Sequence, residues 1–417
     1  MKHMFMLLKT LVLLLLVAPA SAADWKGKEV DKDGVLHVMN PAMPAGSPIE
    51  MEPSELWRLG GDTDDEDEFF GVILEIGVDP EGKVYLLDGQ LNQVMIYTGD
   101  GEFIRSIGHE GEGPGEFRRP GDMVLLPNGN VGVVQFMPGK IVMLTPEGVP
   151  ADNFPVPEPD GGGTQFFSGC ESAGDHVVVG VNEFARDDTG FRTFFRLVGV
   201  SPAGEQLAQY YEIEHKRDMA NFVFDEKETS GMSMQWGVGT DGQVYASTVF
   251  DDYRVDVWQP NGTPDRVIER EYEPRARSKE EMDRMNDRIR IRINRTEPEK
   301  KISKTDRAIQ RLYPRDDGTL WVLSSRGALD APEDMLGTFD VFDKNGRFLR
   351  QVSIKGEGSI KEDGFFFAGD RLFVVTSLVS ARMSSFGGGN AVEEDDEDAE
   401  PMAIICYELG PEVHGMK

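Results

Sequence analysis

Cysteine is almost missing from this chain, which has two among 417 residues, Cys170 and Cys406. A pair so far apart forms no disulfide framework, so we expect two unbridged thiols and a fold held together by its apolar core. Histidine is also scarce. Behind the N-terminal segment the histidines are His37, His109, His176, His215 and His414. No two of them have the close spacing of a zinc motif, so we predict no metal site of this kind.

Basic residues are few: 43 Lys and Arg stand against 74 Asp and Glu, giving a formal net charge of −31 at pH 7. A surface of this sign repels nucleic acid and anionic lipid. We therefore predict that nucleic acid is not a partner of this protein.

Long apolar runs are missing except near the N-terminus, where two lysines precede "LVLLLLVAPASA" (11–22). A transmembrane helix needs about 20 apolar residues, so this run is too short to serve as one. Its Ala-Ser-Ala ending is typical of a cleavage site. We predict a signal peptide over residues 1–22, a mature chain from Ala23 without a membrane span, and export to the periplasm or the medium.

Catalytic motifs are missing as well: the chain has no Gly-x-Ser-x-Gly elbow and no P-loop. The stretch "IGHEGEGPGEFRRPGD" (107–122) looks like a phosphate-binding loop, but it leads into another apolar run, where such a loop would precede a helix. Related stretches stand at 60–71 and 356–364. We interpret it as a joint between repeats.

Internal repetition is what the sequence does have. Four segments share a turn ending in Gly and then a β-branched and aromatic run: "EGKVYLLD" (81–88), "NGNVGVVQ" (128–135), "DGQVYAST" (241–248) and "DGTLWVLS" (317–324). Looser copies are "AGDHVVVG" (173–180) and "AGDRLFVV" (368–375). Hairpins with Asp-Gly or Asn-Gly turns, such as "YTGDGEFIRSIG" (97–108), follow most of them. The units cover roughly 71–110, 117–155, 164–213, 230–272, 306–355 and 360–410.

Each unit supplies four short antiparallel strands, which is the content of one propeller blade. We predict an all-β fold, a six-bladed β-propeller that forms a single domain over 23–417 and a monomer. The last unit has no clear outer hairpin, and residues 54–71 match 101–118 in register. We therefore expect the N-terminal segment to supply the outer strand of blade six and close the ring.

The Asp-x-Gly-x-Val-Tyr pattern and "FIRSIGHEGEGPGEFRRPGDM" (103–123) resemble the NHL-type repeat of six-bladed β-propellers. The chain is similar to the secreted bacterial proteins of that family, most closely over 70–150. This resemblance implies the fold but no single activity, because members bind proteins, peptides, glycans or nucleic acid and some relatives are lyases or lactonases.

Two segments depart from a plain propeller. In 273–306, Ser278 and Glu281 have capping-box spacing, and four apolar residues recur near helical period up to Pro298. Those residues are Met282, Met285, Ile289 and Ile293. Residues 275–315 hold 14 Lys or Arg against 7 Asp or Glu. We predict one amphipathic helix between blades four and five, whose apolar stripe packs on the propeller while its arginines pair with acidic groups; the alternative is a lid or a recruiter of anionic ligands.

The second departure is the acidic run "AVEEDDEDAE" (391–400). It does not space its carboxylates as a calcium loop does, so we interpret 388–401 as an acidic, mobile loop. Calcium is the one cofactor that this run could hold, and we do not predict it.

The candidate ligand site lies where the second strand of each blade ends, beside the channel mouth. The candidates there are Asp88, Gln135, Asn182, Thr248, Ser324, Arg326 and Thr376. Polar residues also stand at strand ends for structural reasons. Asp88 and Arg326 are the pair most worth mutating.

We interpret the chain as a binding or scaffolding module for a protein, peptide or glycan. The alternative is a propeller enzyme, a lyase or a lactonase-like hydrolase, acting on a small polar substrate in the central channel. An enzyme needs convergent titratable groups with shifted pKa values, whereas a binder needs only a complementary rim. A structural role in a larger envelope assembly would instead require an exposed apolar patch.

Overall fold

The computed structural model describes residues 25–63, 68–158, 163–187, 190–218, 221–229, 235–293, 295–386 and 401–410. The predicted signal peptide and all but the last residue of the predicted acidic loop lie outside these ranges.

The chain folds into a six-bladed β-propeller, as the repeats predict, with the first strand of each blade nearest the axis. Four strands precede blade one: β1 Lys28–Lys32, β2 Val35–Asn40, β3 Ile49–Met51 and β4 Ser54–Gly60. Blade one comprises β5 Ile73–Val78, β6 Val84–Asp88, β7 Gln93–Tyr97 and β8 Phe103–Ile107. Blade two comprises β9 Pro120–Leu125, β10 Val131–Gln135 and β11 Lys140–Leu144, with isolated bridges to Pro150 and Phe154 along its outer side. Blade three comprises β12 Thr164–Ser172, β13 Val177–Asp187, β14 Gly190–Val200 and β15 Gln206–Arg217.

The second half of the ring carries the helices. A short strand and helix, β16 Val223–Asp225 and α1 Glu226–Thr229, precede blade four. Blade four comprises β17 Gln235–Val238, β18 Val244–Ser247, β19 Arg254–Trp258 and β20 Pro264–Arg270, and the insertion after it holds α2 Lys279–Arg288 and β21 Glu299–Lys301. Blade five comprises β22 Ile309–Pro314, β23 Leu320–Ser324, α3 Ser325–Leu329, β24 Met335–Phe342 and β25 Phe348–Lys355. Blade six comprises β26 Gly364–Ala368, β27 Arg371–Val375, α4 Leu378–Phe386 and β28 Ala403–Glu408.

The repeated turn between the first two strands of a blade has a local cause. In blade one the Asp79 carboxylate accepts backbone N–H bonds from Glu81 and Lys83, both 2.9 Å, and Gly82 has a φ of +84°. Asp at the start and Gly in the left-handed region stabilise such a turn. The same side-chain bond recurs at Asn128, Asp241 and Asp317.

The second strands are buried on both faces because each blade is covered by a neighbour on either side. Every residue of β6, β10 and β23 is buried. The outer strand β8, by contrast, is mostly accessible. Apolar side chains therefore form continuous layers between the blades, which is where the core lies.

The ring closes through the N-terminus, as predicted. Strand β4 pairs antiparallel with β28, with Arg58 opposite Ile405 and Trp57 opposite Cys406. Blade six therefore takes its fourth strand from the opposite end of the chain, and the first and last strands hold the ring together.

The N-terminal belt, residues 25–60, does more than close the ring. Strand β2 lies parallel to β20 of blade four, and β3 lies parallel to β25 of blade five. The buried Asn40 joins the two blades: its Nδ2 donates to Glu269 O (3.0 Å) and Gly346 O (2.9 Å), and its Oδ1 accepts from Phe348 N (2.8 Å). These outer pairings were not predicted.

The insertion differs from its prediction in one respect. Helix α2 begins at the predicted capping box, in which Ser278 and Glu281 bond reciprocally, but it ends at Arg288, well before Pro298. The residues that follow alternate Arg and Ile, which is the period of an extended chain. No residue of α2 is fully buried; Met282 and Met285 are half-buried, and the packing of this apolar stripe on the propeller stays a prediction.

Two arginines of the insertion that precede α2 pair with acidic groups, whereas the pairing predicted for the arginines of the helix itself stays a prediction. The Arg277 guanidinium donates to both oxygens of Glu226 (2.8 and 2.9 Å) and to Asp306 (2.6 Å). Arg275 binds Asp306 (2.6 Å) and Asp330 (2.8 Å). These largely buried pairs hold the base of the insertion to blades four and five.

Three smaller predictions can be compared with the structure. Cys170 and Cys406 are free and buried. The glycine-rich stretch 107–122 links β8 to β9 and is the predicted joint. The helices of the described ranges are too short or too polar to span a bilayer.

Candidate functional site

Asp88 ends β6, as predicted, but its carboxylate is occupied. It is fully buried and accepts backbone N–H bonds from Gly71 (2.7 Å), Gln90 (2.9 Å) and Leu91 (2.8 Å). Three charge-assisted bonds of this kind hold the loop after β6 against the start of β5. Asp88 therefore has a structural role whether or not it also contacts a ligand.

Two further predicted residues organise their own turns. Gln135 accepts from Arg118 N (3.0 Å) and donates to Pro138 O (3.1 Å). Ser324 caps α3 by accepting from Gly327 N (3.1 Å). The two side chains are nearly buried.

The other four predicted residues differ in their hydrogen bonding. Thr248 donates to Asp256 (2.5 Å), and the Thr376 hydroxyl accepts from Ala403 N (2.8 Å). Asn182 is buried, and its side-chain oxygen has no hydrogen-bond partner in the described part of the chain. The exposed Arg326 donates to a backbone carbonyl in the insertion (2.9 Å) and lines a cavity of about 300 Å³ together with Ser324.

The seven residues are thus distributed over the ring. Asp88 belongs to blade one and Arg326 to blade five, and no contact between described residues joins them. Ligand binding by these seven side chains stays a prediction.

A cluster that was not predicted lies in the central channel. The first strands of neighbouring blades contact one another around the axis, and three of them carry acids: Glu75 on β5, Asp122 on β9 and Glu171 on β12. The charge of Asp122 acts on Glu75 and raises its pKa, so the two carboxyl groups lie near each other. We call Glu75, Asp122 and Glu171 the channel cluster.

Backbone donors hold the channel cluster in place. Asp122 accepts from Met123 N and from Cys170 N of the next blade, both at 2.8 Å. Glu171 accepts from Val238 N of blade four at 2.7 Å. Asp122 and Glu171 are therefore each fixed between two blades, whereas Glu75 accepts from Ile76 N of its own strand (3.2 Å).

Burial shifts the proton affinity of all three acids upward. Each lines the channel and keeps some accessible surface, but protein atoms surround it and exclude most water. Desolvation raises the pKa of Asp122 to about 6 and that of Glu171 to about 8. Desolvation, and then the charge of Asp122, raise the pKa of Glu75 well above its ordinary value.

Two arginines face the channel cluster. Arg382 of α4 donates to Leu74 O (2.7 Å), and its charge acts on Glu75 and Asp122. Arg311 on β22 donates to the side chain of Gln235 on β17 (2.8 Å). Desolvation and then the charge of Arg311 lower the pKa of Arg382. The channel therefore holds acids on one side and guanidinium groups on the other.

β-bulges direct these side chains toward the axis. The register shifts between Ile73 and Glu75 in blade one and between Ile309 and Arg311 in blade five. The partner of Gln135 is Pro120, while that of Val134 is Asp122, so blade two has the same irregularity. A bulge turns the following side chain, which explains why residues on a first strand point into the channel.

Part of this cluster has a signal in the sequence. Four polar residues stand seven positions before the turn glycines Gly82, Gly129, Gly242 and Gly318: Glu75, Asp122, Gln235 and Arg311. That constant spacing indicates that the four residues occupy the same position on the first strands of their blades. Glu171 breaks the spacing because β12 is longer than the other first strands, and Arg382 reaches the channel from a helix.

Metal ligation finds no support in the described residues, where no three His, Cys, Asp or Glu side chains are arranged to hold an ion. The acidic run 391–400, which was considered for calcium and not predicted to bind it, lies outside the described residues. Three of the described histidines form hydrogen bonds to protein side chains: His37 with Glu269 (3.1 Å), His109 with Glu116 (2.9 Å) and His176 with Tyr210 (2.9 Å).

Comparison with known proteins agrees with the architecture. A protein family described as "6-bladed beta-propeller" matches residues 63–149, which are blades one and two. No curated protein matches the chain. The fold thus places the chain in the class of six-bladed β-propellers, and the finer resemblance to NHL-type repeats stays a prediction.

Solved structures of other propellers are similar over most of their length. A member of the duf4221 family from Bacteroides vulgatus is 8% identical with a TM-score of 0.48, covering 87% of this chain and 98% of that one. Virginiamycin B lyase from Staphylococcus aureus is 11% identical with a TM-score of 0.40, covering 85% and 99%. A gluconolactonase from Xanthomonas campestris is 10% identical with a TM-score of 0.42, covering 82% and 87%. None of these likenesses bears on what this chain binds.

Proposed function

We propose that the chain is exported as a single propeller domain, residues 23–417, and acts as a binding module for a peptide or glycan ligand. The ligand presents a cationic group, an amine or a guanidinium, to the channel cluster. The observation that carries this proposal is the convergence of Glu75, Asp122 and Glu171 on the axis, where the charge of Asp122 raises the pKa of the other two.

The charge state of the cluster favours a cation. Near neutral pH Asp122, with a pKa of about 6, is mostly ionised. Glu171, with a pKa of about 8, holds a proton that an entering cation can displace. The net charge of −31 raises the local concentration of cations around the whole molecule. A cationic group is therefore attracted by the net charge of the molecule as it approaches, and by the channel cluster once it has entered the channel.

Arg382 supports the same reading. Its guanidinium is a resident counter-ion for Glu75 and Asp122, held by one carbonyl bond from Leu74. A ligand cation of similar chemistry could replace its charge beside the acids at little cost in desolvation. The rim residues predicted from the sequence, such as Asp88 and Arg326, would then contact the remainder of the ligand.

The test is calorimetry of the full mature chain with matched probes. Gly-Gly-Lys and glucosamine supply the cation on a peptide and on a sugar, and Gly-Gly-norleucine and N-acetylglucosamine are their neutral counterparts. We expect only the cationic member of a pair to bind, with proton release at about pH 7 that is seen as a dependence of the heat on the buffer.

Variants make the test specific. Replacing the cluster by Glu75→Gln, Asp122→Asn and Glu171→Gln should weaken binding at least about tenfold, since buried charge pairs are worth more than exposed ones. The control is Glu52→Gln, Glu102→Gln and Glu147→Gln, which replaces the same number of carboxyl groups at exposed positions and changes the net charge at least as much. Equal weakening by both triple variants, or equal binding of charged and neutral probes, would refute the proposal.

A second function is favoured by one specific observation, the unequal proton affinities of the Glu75 and Asp122 pair. Burial raises the pKa of Glu75 well above its ordinary value and that of Asp122 only to about 6, so Glu75 holds its proton more strongly than Asp122 does. Such a pair can protonate a leaving group and accept a proton. The channel cluster therefore has what the enzyme alternative requires, which is convergent titratable groups with shifted pKa values.

The enzyme alternative has its own readout. With small lactones and aryl glycosides as substrates, kcat/KM should rise with pH through about 6 as Asp122 ionises. Asp122→Asn should remove both the turnover and that limb of the profile. A turnover that Asp122→Asn leaves unchanged, or none with any of these substrates, would count against this function.

A further inference from the structure

A row of arginines begins at Arg288, the last residue of α2, and continues into the segment that follows. The segment reads "RIRIRINR" (288–295), and the C-cap of α2, Ile289, already has extended backbone angles, with φ −80° and ψ 96°. Arg and Ile alternate, so in an extended chain they face opposite sides.

Their exposure follows this alternation. The isoleucines at 289, 291 and 293 are half-buried. The exposed arginines are Arg288, Arg290, Arg292 and Arg295. We call Arg288, Arg290 and Arg292 the arginine row.

The arginine row differs from the arginines that fix the insertion. Arg275 and Arg277 are largely buried and bind several carboxylates each. Among the described residues, no carboxylate lies within 4.0 Å of the guanidinium groups of the row. Intramolecular pairing, which accounts for Arg275 and Arg277, does not account for the row.

The surroundings favour a narrow anion over a broad anionic surface. The protein has a net charge of −31, and the row belongs to a segment, 275–315, in which 14 basic residues outnumber 7 acidic ones. A membrane or a nucleic-acid duplex would bring the acidic remainder of the molecule against further negative charge. A single extended chain can contact the row alone.

The spacing specifies what that chain would carry. Arg290 and Arg292 follow the extended residue Ile289, and alternate residues of an extended segment lie about 6.6 Å apart, as they do in an extended peptide; Arg288 stands at the end of α2 just before them. Carboxylates at alternate positions can therefore face successive arginines, each in a geometry suited to the guanidinium fork. We propose that the arginine row docks an extended acidic segment of a partner protein, with Asp or Glu at every second position.

The probe is a fluorescent peptide of about ten residues that alternates Glu and Thr, measured by anisotropy against the full mature chain at low salt. Its isomer, in which the Glu residues form one block, has the same composition and charge. We expect the alternating peptide to bind more tightly and its affinity to fall as salt is added.

Charge removal tests the site. Arg288→Ser, Arg290→Ser and Arg292→Ser together should weaken binding about tenfold, the sum expected of three exposed charge pairs. The control is Arg105→Ser, Lys344→Ser and Lys361→Ser, three exposed basic residues on other blades. The control should bind as the parent chain does, and none of the six positions is buried, so both variants should fold.

Three outcomes would overturn the proposal. Equal affinity of the alternating and block peptides would remove the role of spacing. Equal losses in the two triple variants would reduce the effect to net charge. Binding of phosphatidylglycerol vesicles or polygalacturonate, with no binding of the peptide, would show that the row recognises a different class of partner.

Discussion

Asp122 holds its position because Gly169 has no side chain. A Cβ at Gly169 would lie 2.9 Å from Asp122 Oδ2 and 3.3 Å from Trp236. In blade three the register shifts between Phe167 and Gly169, so Gly169 stands where the other blades place a charged residue. The missing side chain leaves room for the carboxylate of the neighbouring blade to reach Cys170 N.

Glu171 gives a testable pH dependence of stability. Its pKa is about 8 in the folded chain, so the folded state holds this proton more tightly than the unfolded state, whose pKa is about 4.3. Its stabilising contribution is complete below about pH 4.3 and is lost as the pH rises through about 8. Glu171→Gln mimics the protonated form, so it should stabilise the protein by about 1–3 kcal/mol at about pH 9 and little at about pH 5.

Urea unfolding at the two pH values measures this effect. Glu102→Gln removes an equal charge from an exposed hairpin and should show no such difference between the two pH values. If Glu171→Gln stabilised the chain equally at both, the carboxyl would have an ordinary pKa.

At the scale of elements, the strands were predictable and the channel was not. Each turn is local: Asp79 and Gly82 stabilise it with bonds inside a few residues, so its sequence pattern survives from blade to blade. The clasp was predictable because residues 54–60 keep the pattern of an outer strand. The parallel pairings of β2 and β3 have no such pattern, since they depend on where the closed ring leaves free edges.

The channel cluster depends on bulges and on the closure of the ring. The spacing of Glu75 and Asp122 before their turn glycines is visible in the sequence, but their meeting requires blades one and two to stand side by side. Arg382 arrives from α4, a helix between the second and third strands of blade six. Blade five has a helix at the same place, α3, but it has 5 residues against 9 in α4, so the repeat does not predict that a helical side chain reaches the channel.

The contribution of α4 can be measured through Arg382. Its positive charge lowers the pKa of Glu75 and Asp122 and so opposes the larger effect of desolvation. Arg382→Met should therefore move the pKa of Asp122 upward from about 6, as followed by NMR titration of labelled carboxyl carbons. Arg105→Met, in an outer strand, serves as the control. An unchanged or lower pKa of Asp122 would show that the guanidinium does not act on the cluster.

At the scale of the whole molecule, stability depends on closure. A blade contacts only its neighbours, so an open row of six would expose a face at each end. Strand β4 completes the sheet of blade six by pairing with β28, in which Ile404 and Ile405 are buried. The N-terminal belt also crosses blades four and five, so one segment of about 35 residues contacts half of the ring.

Two truncations separate these roles of the belt. Removing 23–47 deletes β1, β2 and the bonds of Asn40 but keeps the clasp, so we expect a cooperative transition with Tm lowered by about 5–10 °C. Removing 23–60 deletes β4 as well, exposes β28 and opens the ring, so the cooperative transition should be lost. Differential scanning calorimetry of both chains and the parent distinguishes the cases. If the two truncated chains melted at the same temperature, β4 would add nothing to β28, and closure of the ring would have to rest on contacts between the first strands of blades six and one alone.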